Sequence, residues 1–287
     1  MQIIKRSGRT EPYCREKIFT AIKKCTVNSE RNISEEAINE MTNCVEKFLV
    51  GNESQRSVER IQDEVERVLM AHGFYAEAKS YILYRWTRSE KRKILETLST
   101  ELKCQDILPY LHSIQSRFAE DIYSIGLLAE KFIGVLKPSM DQDERIGLLI
   151  KSAVELTSQD APQWEYIASE LLVFKLTRRI KILENRCGLH SLYDKLWYLT
   201  QEGLYGTYIL DQYTKEEIDI AETFIVNDRN RLLNYSGVHL LVKRYLICTH
   251  SKEVIESIQE MFLGIALHLA MLEKITAWNG CIVFTIC

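Results

Sequence analysis

Apolar residues recur at helical spacing along most of the chain and alternate only at its start. "QIIKR" (2–6) and "TEPY" (10–13) read as two short extended pieces around Ser7-Gly8-Arg9, where Gly8 supplies the positive φ of a tight hairpin turn. From Arg15 to Val27 the positions Ile18, Ile22 and Cys25 share one helical face. "NISEEAINEMTNCVEKFLVG" predicts a second helix, with Ser34 as its N-cap, acids in its first turn and Gly51 after its end. "ESQRSVERIQDEVERVLMAHG" opens as a third extended piece and becomes a helix capped by Ser57 and stopped at Gly73. "YAEAKSYILYRWTRSEKRKILETL" is a fourth helix, long and basic.

The first 93 residues therefore predict a small β cap resting as a lid on about four helices. From 94 to 137 the pattern stays helical, broken at Pro109 and Pro138. Two more helices are expected over 141–157 and 160–182, the second opened by Asp160 as N-cap and Pro162 in the early turn. "LYDKLWYLTQEGLYG", "TKEEIDIAETFI", "RLLNYSGVHLLVKRYLI" and "SIQEMFLGIALHLAM" complete an all-helical second region. The fold class is mainly α, and no repeat or low-complexity segment interrupts it.

Composition narrows the function classes. A chain of 287 residues has room for two domains, and four Pro and twelve Gly suit long helices with few turns. No apolar run approaches the roughly 18 residues of a membrane span. No secretory pattern opens the chain either, so the expected location is cytoplasmic. Eight cysteines form no CxxC pair, and six histidines have no metal spacing. No P-loop and no GxGxxG occurs, which excludes those two phosphate cradles.

Charge changes the picture at one place. The chain carries a formal net charge of -3, yet residues 1–24 hold Lys5, Arg6, Arg9, Arg15, Lys17, Lys23 and Lys24 against only Glu11 and Glu16. Three readings stand. The basic hairpin could meet nucleic acid by releasing counterions, although the acidic chain as a whole argues against that. It could hold a nucleotide phosphate, with the free amides of the helix start near Arg15 adding to the charge. It could be a solvated charged surface.

"IIKRSGRTEPYCREKIFTAI", then "SVERIQDEVERVLM" and "AKSYILYRWTR", resemble the ATP-cone, the regulatory nucleotide-binding module at the N-terminus of many ribonucleotide reductase large subunits. The resemblance covers residues 2–90. It implies a four-helix bundle under a three-stranded β cap. It also implies that Lys5, Arg6 and Lys17 contact phosphate, that Glu11 contacts the base or positions the lid, and that Gln62 lines the pocket. Lys79, Arg85 and Arg88 on the last helix are the weaker candidates. Cys14 departs from the family, which usually has Asp or Asn there, and so removes a capping oxygen. The effector it implies is ATP or dATP with Mg2+.

From about Lys137 to Glu273 the chain is similar to the N-terminal helical domain of the class I ribonucleoside-diphosphate reductase large subunit. "LIKSAVELTSQDAPQWEYIASELLVFKL" and "ILDQYTKEEIDIAETFIVNDRNRLLNYSGVHLLVKRYLI" carry that likeness. The expected organisation is an ATP-cone over 1–93, a helical connector over 94–137, the helical domain over 138–273 and a tail over 274–287. The resemblance implies a parent enzyme that makes deoxyribonucleotides with a separate radical-bearing small subunit and self-associates under effector control. The acidic chain and the lack of a long apolar run leave no nucleic-acid or membrane partner expected.

The tail, "KITAWNGCIVFTIC", departs from the family pattern. A back-translation of Ala277–Cys287 in chosen synonymous codons, read from the last base of the first codon, gives Met-Glu-Trp-Val-Tyr-Cys-Phe-Tyr-Asp-Met. That restores a family-like Glu-Trp and Phe-Tyr-Asp, so the tail is read as out of frame. Cys281 and Cys287 are then not the family's redox cysteines, and no catalytic residue is expected in this chain. The expected function is effector binding without turnover. The alternatives are an ATP-cone transcription regulator, which would need paired CxxC motifs, and a helical scaffold that binds nothing.

Overall fold

The computed structural model describes residues 1–5, 8–26, 33–52 and 56–271. Arg6 and the tail from 272 onward, with Cys281 and Cys287, lie outside the described residues. Packing divides the chain into two compact units, Met1–Lys93 and Ile94–Cys287.

The first unit begins with an antiparallel ribbon of β1 (Gln2–Ile4) and β2 (Thr10–Pro12), in which Ile3 faces Glu11. Gly8, at φ 78°, donates its N–H to the Lys5 carbonyl at 2.9 Å and closes the turn. Only the middle residue of β1 is buried, as alternation on a half-covered strand requires. The third extended piece meets the ribbon through one parallel bridge, Ile4 to Ser57, with the Ile4 amide donating to the Arg56 carbonyl at 2.8 Å. Residues 53–55 of that piece lie outside the described residues.

Three helices and the first part of a fourth carry the ribbon: α1 (Arg15–Thr26), α2 (Glu35–Gly51), α3 (Val58–Ala71) and α4 (Tyr75–Leu102). Ser34 and Ser57 accept the backbone amides of Ala37 and Arg60 as N-caps. Gly51 is the last residue of α2 rather than a stop beyond it. α3 ends at left-handed Gly73, with the Phe74 amide reaching back to the Leu69 carbonyl at 3.0 Å. Ile22, Met41, Val45 and Leu69 fill the core of this unit, and Ile3 of the ribbon is buried as well.

The second unit is mainly helical, with one isolated antiparallel bridge, Cys248 to Val254, among its described residues. Its largest core joins the end of α4 to α5 (Leu108–Arg117), α6 (Ile125–Val135), α7 (Gln142–Val154) and α8 (Trp164–Cys187) around Phe132 and Trp164. The Trp164 indole donates to the Ile122 carbonyl at 3.1 Å, so its one polar atom is satisfied. Arg145, almost fully buried, donates to the carbonyls of Glu101, Pro138 and Met140 and ties the α7 start to the chain before it. α7 opens with a reciprocal Asp141–Glu144 capping box.

α8 differs from the expected 160–182. Ser158 and Ala161 form a hydrogen-bonded turn that keeps Asp160 out of the helix, Gln163 stands at the N-cap, and the helix runs on to Cys187. Pro109, expected as a break, sits in the first turn of α5, where its missing N–H costs nothing. Then follow α9 (Leu192–Gln201), α10 (Tyr208–Gln212), α11 (Lys215–Glu222), α12 (Tyr235–Arg244) and α13 (Ile258–Ala270).

α8, α9 and α13 meet at a buried charge. The Lys195 ammonium lies 2.6 Å from Glu184 and 2.7 Å from Glu260, with its side chain 4% exposed. Nearby, Glu256 accepts the Ile247 amide at 3.0 Å, and burial pushes its carboxyl up to about 7. A carboxyl raised in the folded state binds a proton that the unfolded chain releases. The stability it contributes is therefore full below its unfolded value of 4.5 and is lost as pH rises through about 7. Glu256→Gln, which keeps an acceptor for Ile247, should stabilise the protein by about 2–3 kcal/mol above pH ~7 and change little at pH ~4.5. Chemical denaturation of both proteins across that range checks this, and parallel curves would contradict it.

Candidate functional site

The ribbon register decides what looks down onto the helices. Ile3 and Glu11 are directly opposed, so their side chains share a face, and Lys5 lies on that face two residues beyond Ile3. Ile3 is buried against the helices, so Lys5 and Glu11 also face them. Beneath lies a cavity of ≈ 340 Å³ lined by Lys5, Glu11, Lys17, Gln62, Tyr81 and Arg88, among others. Five of the eight residues singled out in the sequence thus meet in one place, from the ribbon, α1, α3 and α4.

Glu11 is the electrostatic hinge of the cavity. Its carboxylate lies 2.9 Å from the Lys5 ammonium and 3.7 Å from that of Lys17. The Lys5 hydrogen bond, helped by the Lys17 charge, holds Glu11 below the usual carboxylate range. One acid thus restrains two cations that would otherwise repel each other. An incoming anion can take over either ammonium without losing the rest of the arrangement.

A second cavity of ≈ 670 Å³ adjoins the first and shares Lys17, Gln62, Tyr81 and Arg88 with it. Lys24, Tyr84 and Arg92 also line it, and the sequence reading did not single them out. Their signal was helical phase: Lys24 stands seven residues after Lys17, and Arg92 four after Arg88, so each repeats a face already chosen. Arg88 donates to the Tyr84 hydroxyl at 3.1 Å and sits 5.6 Å from its ring centre, while the Arg92 Nε donates to the Arg88 carbonyl. Cys14, exposed at the start of α1, borders both cavities. Its carbonyl accepts the Lys17 amide at 3.3 Å. Cys25 lines the larger cavity, and burial pushes its thiol up to about 11, which leaves it an inert neutral group.

Two of the weaker candidates part from the rest. Arg85 borders the larger cavity, but its guanidinium is bound at 2.7 Å to both Asp63 and Glu66, clamping α4 to α3. Lys79 lines neither cavity. Nine residues separate it from Arg88, which at 3.6 residues per turn places it on about the opposite side of α4. Among the described residues no group of three His, Cys, Asp or Glu could hold a metal ion, and no helix is long and apolar enough to cross a membrane.

Residues 1–90 match the ATP cone domain family. The chain is 40% identical over 281 residues to the ribonucleoside-diphosphate reductase subunit alpha of Treponema pallidum, covering 95% of this chain and 33% of that protein. It is 32% identical over 119 residues to the ribonucleoside-diphosphate reductase 1 subunit alpha of Escherichia coli, covering 41% of this chain and 15% of that protein. It is 25% identical over 310 residues to the subunit alpha of Chlamydia muridarum, covering 96% of this chain and 29% of that protein. The chain thus spans about a third or less of these curated relatives.

The contrast between the two α4 residues is testable without any ligand. Arg85→Ala removes two charge-assisted hydrogen bonds from a partly buried clamp and should destabilise the first unit by about 1–3 kcal/mol. Lys79→Ala, on an exposed face, should change stability by less than about 0.5 kcal/mol. Thermal melts of the two variants check this, and equal midpoints would show that the clamp carries no weight.

Proposed function

From a chain that carries an ATP-cone domain followed by a region matching the N-terminal part of ribonucleoside-diphosphate reductase alpha subunits, we propose that the first unit binds ATP or dATP as an allosteric effector. The observation that carries this reading is the convergence of Lys5, Lys17 and Arg88 with Glu11 and Gln62 on one cavity under the ribbon. The three cations would take the phosphates, joined by Arg6 if the residue beyond Lys5 reaches the same ligand. Glu11 and Gln62 offer hydrogen-bonding groups for base or sugar. Tyr81 and Ile18 supply an apolar wall. Mg2+ would arrive with the triphosphate, because no acidic cluster among the described residues could hold it beforehand.

Allostery requires two nucleotides, or two assemblies, that differ in binding free energy. For the longer relatives that difference would lie between an active assembly with the small radical-bearing subunit and an inhibited self-associated one. On this reading the chain supplies the sensor, in a cytoplasmic enzyme of deoxyribonucleotide synthesis. Its own residues are assigned binding and none is assigned turnover.

Charge-assisted hydrogen bonds are worth about 1.5–3 kcal/mol each, so Lys17→Ala and Arg88→Ala should each weaken dATP binding by about tenfold or more. Lys79→Ala should leave it unchanged. Calorimetric titration of dATP into the three variants tests the reading. Undiminished affinity in both cavity variants would end it.

A further inference from the structure

The second unit holds a groove that none of the preceding assigns. One face of α8 forms its floor, with Leu172, Leu176 and Leu183 in line at helical spacing. α7 walls one side, and α12 with the segment at Lys252–Val254 walls the other. The volume is ≈ 600 Å³, within the range of about 300–1,000 Å³ of small-molecule sites.

Its lining is unequally charged. Lys175, Arg179, Arg186, Lys243 and Lys252 face it, against the carboxylates of Asp143 and Glu253 alone. Asp143 holds Lys175 at 3.0 Å and also pairs with Arg179, and Glu253 holds Arg186 at 3.2 Å. Lys243 and Lys252 make no ion pair among the described residues. The Lys175 ammonium also reaches the Asp143 carbonyl at 2.9 Å over Gly147, where a Cβ would stand 3.1 Å from it. A side chain at Gly147 would crowd that ammonium at the wall of the groove.

The groove also has two unlike ends. α12 runs alongside α8 with its start beside the start of α8, since Ser236 donates to Glu165 at 3.1 Å and Val238 packs with Leu176 and Ile180. Tyr235 and His239 therefore lie toward the Leu172 end. Their rings stack at 5.5 Å between centres and 27° between planes. Arg186 marks the far end, paired with Glu253, which directly follows Lys252 in sequence. An apolar floor thus leads from an aromatic pair to a cluster of cations with surplus positive charge.

We propose that this groove binds a small organic anion of mononucleotide size, its aromatic ring against Tyr235 and His239 and its phosphate among Lys243, Lys252 and Arg186. Stacking and cation–π contacts suit the ring, and the two unpaired lysines suit the phosphate. This inference does not depend on the first-unit reading, because no residue is shared between the two sites.

The test uses ADP as the probe and pyrophosphate as its ring-free control. The whole chain carries Lys17→Ala and Arg88→Ala, so that binding in the first unit is weakened. ADP should still bind saturably, with hydrogen exchange slowed in α12. Adding Lys243→Gln and Lys252→Gln should weaken that binding by about tenfold or more, with an unchanged thermal melt. Pyrophosphate should bind more weakly than ADP by a similar factor. The proposal is overturned if a correctly folded background protein takes up no ADP, if the lysine variants bind it equally well, or if pyrophosphate matches ADP. Slowed exchange confined to residues 1–93 would overturn it too, and would leave the first-unit reading standing.

Discussion

A ribbon of two three-residue strands cannot hold itself together in water. Among the described residues it is held by the buried side chain of Ile3 and by a backbone bond from the Ile4 amide to the Arg56 carbonyl. Everything about the first unit's cavity follows from that anchorage. With Ile3 down, Glu11 and Lys5 must look the same way. A slip of one residue would turn both toward solvent and leave Lys17 and Arg88 facing an empty space. The charge pattern of the ribbon is thus set by a hydrophobic contact.

The cations of this cavity are held ready without being used up. Glu11 is exposed and touches two ammonium groups, so each contact is weak enough to be exchanged. Arg85 is the opposite case: two acids at 2.7 Å fix it as part of the scaffold. The difference between a group that can serve a ligand and one that cannot lies in the partners, and only three dimensions reveal them.

Much of the fold was legible in the sequence because its signals are local. Ser34 and Ser57 announce helix starts by side-chain chemistry that acts within three residues, and Gly73 announces an end by its backbone freedom. The start of α8 was misread because Asp160 and Pro162 look like a cap and first turn, while the turn closed by Ser158 competes for the same residues. α10, only five residues long, leaves too short a period to read. For the candidate site, Lys5, Glu11, Lys17, Gln62 and Arg88 could be picked out from a family resemblance, and the structure brings them to one cavity. Lys79 was carried along with them although helical phase alone sets it apart, and Lys24 and Arg92 were passed over although the same phase includes them. The groove on α8 had no local signature, because three segments far apart in sequence build it.

The buried Lys195 has a consequence for how the second unit assembles. Its two acids come from different helices, Glu184 on α8 and Glu260 on α13, while the lysine belongs to α9. If α13 docked one residue out of step, Glu260 would swing away and leave a poorly compensated ammonium in the interior, a fault worth about 3–5 kcal/mol when a buried pair is broken. The triad therefore works as a registration pin: it adds little to the depth of the native well but raises the floor of its nearest competitors.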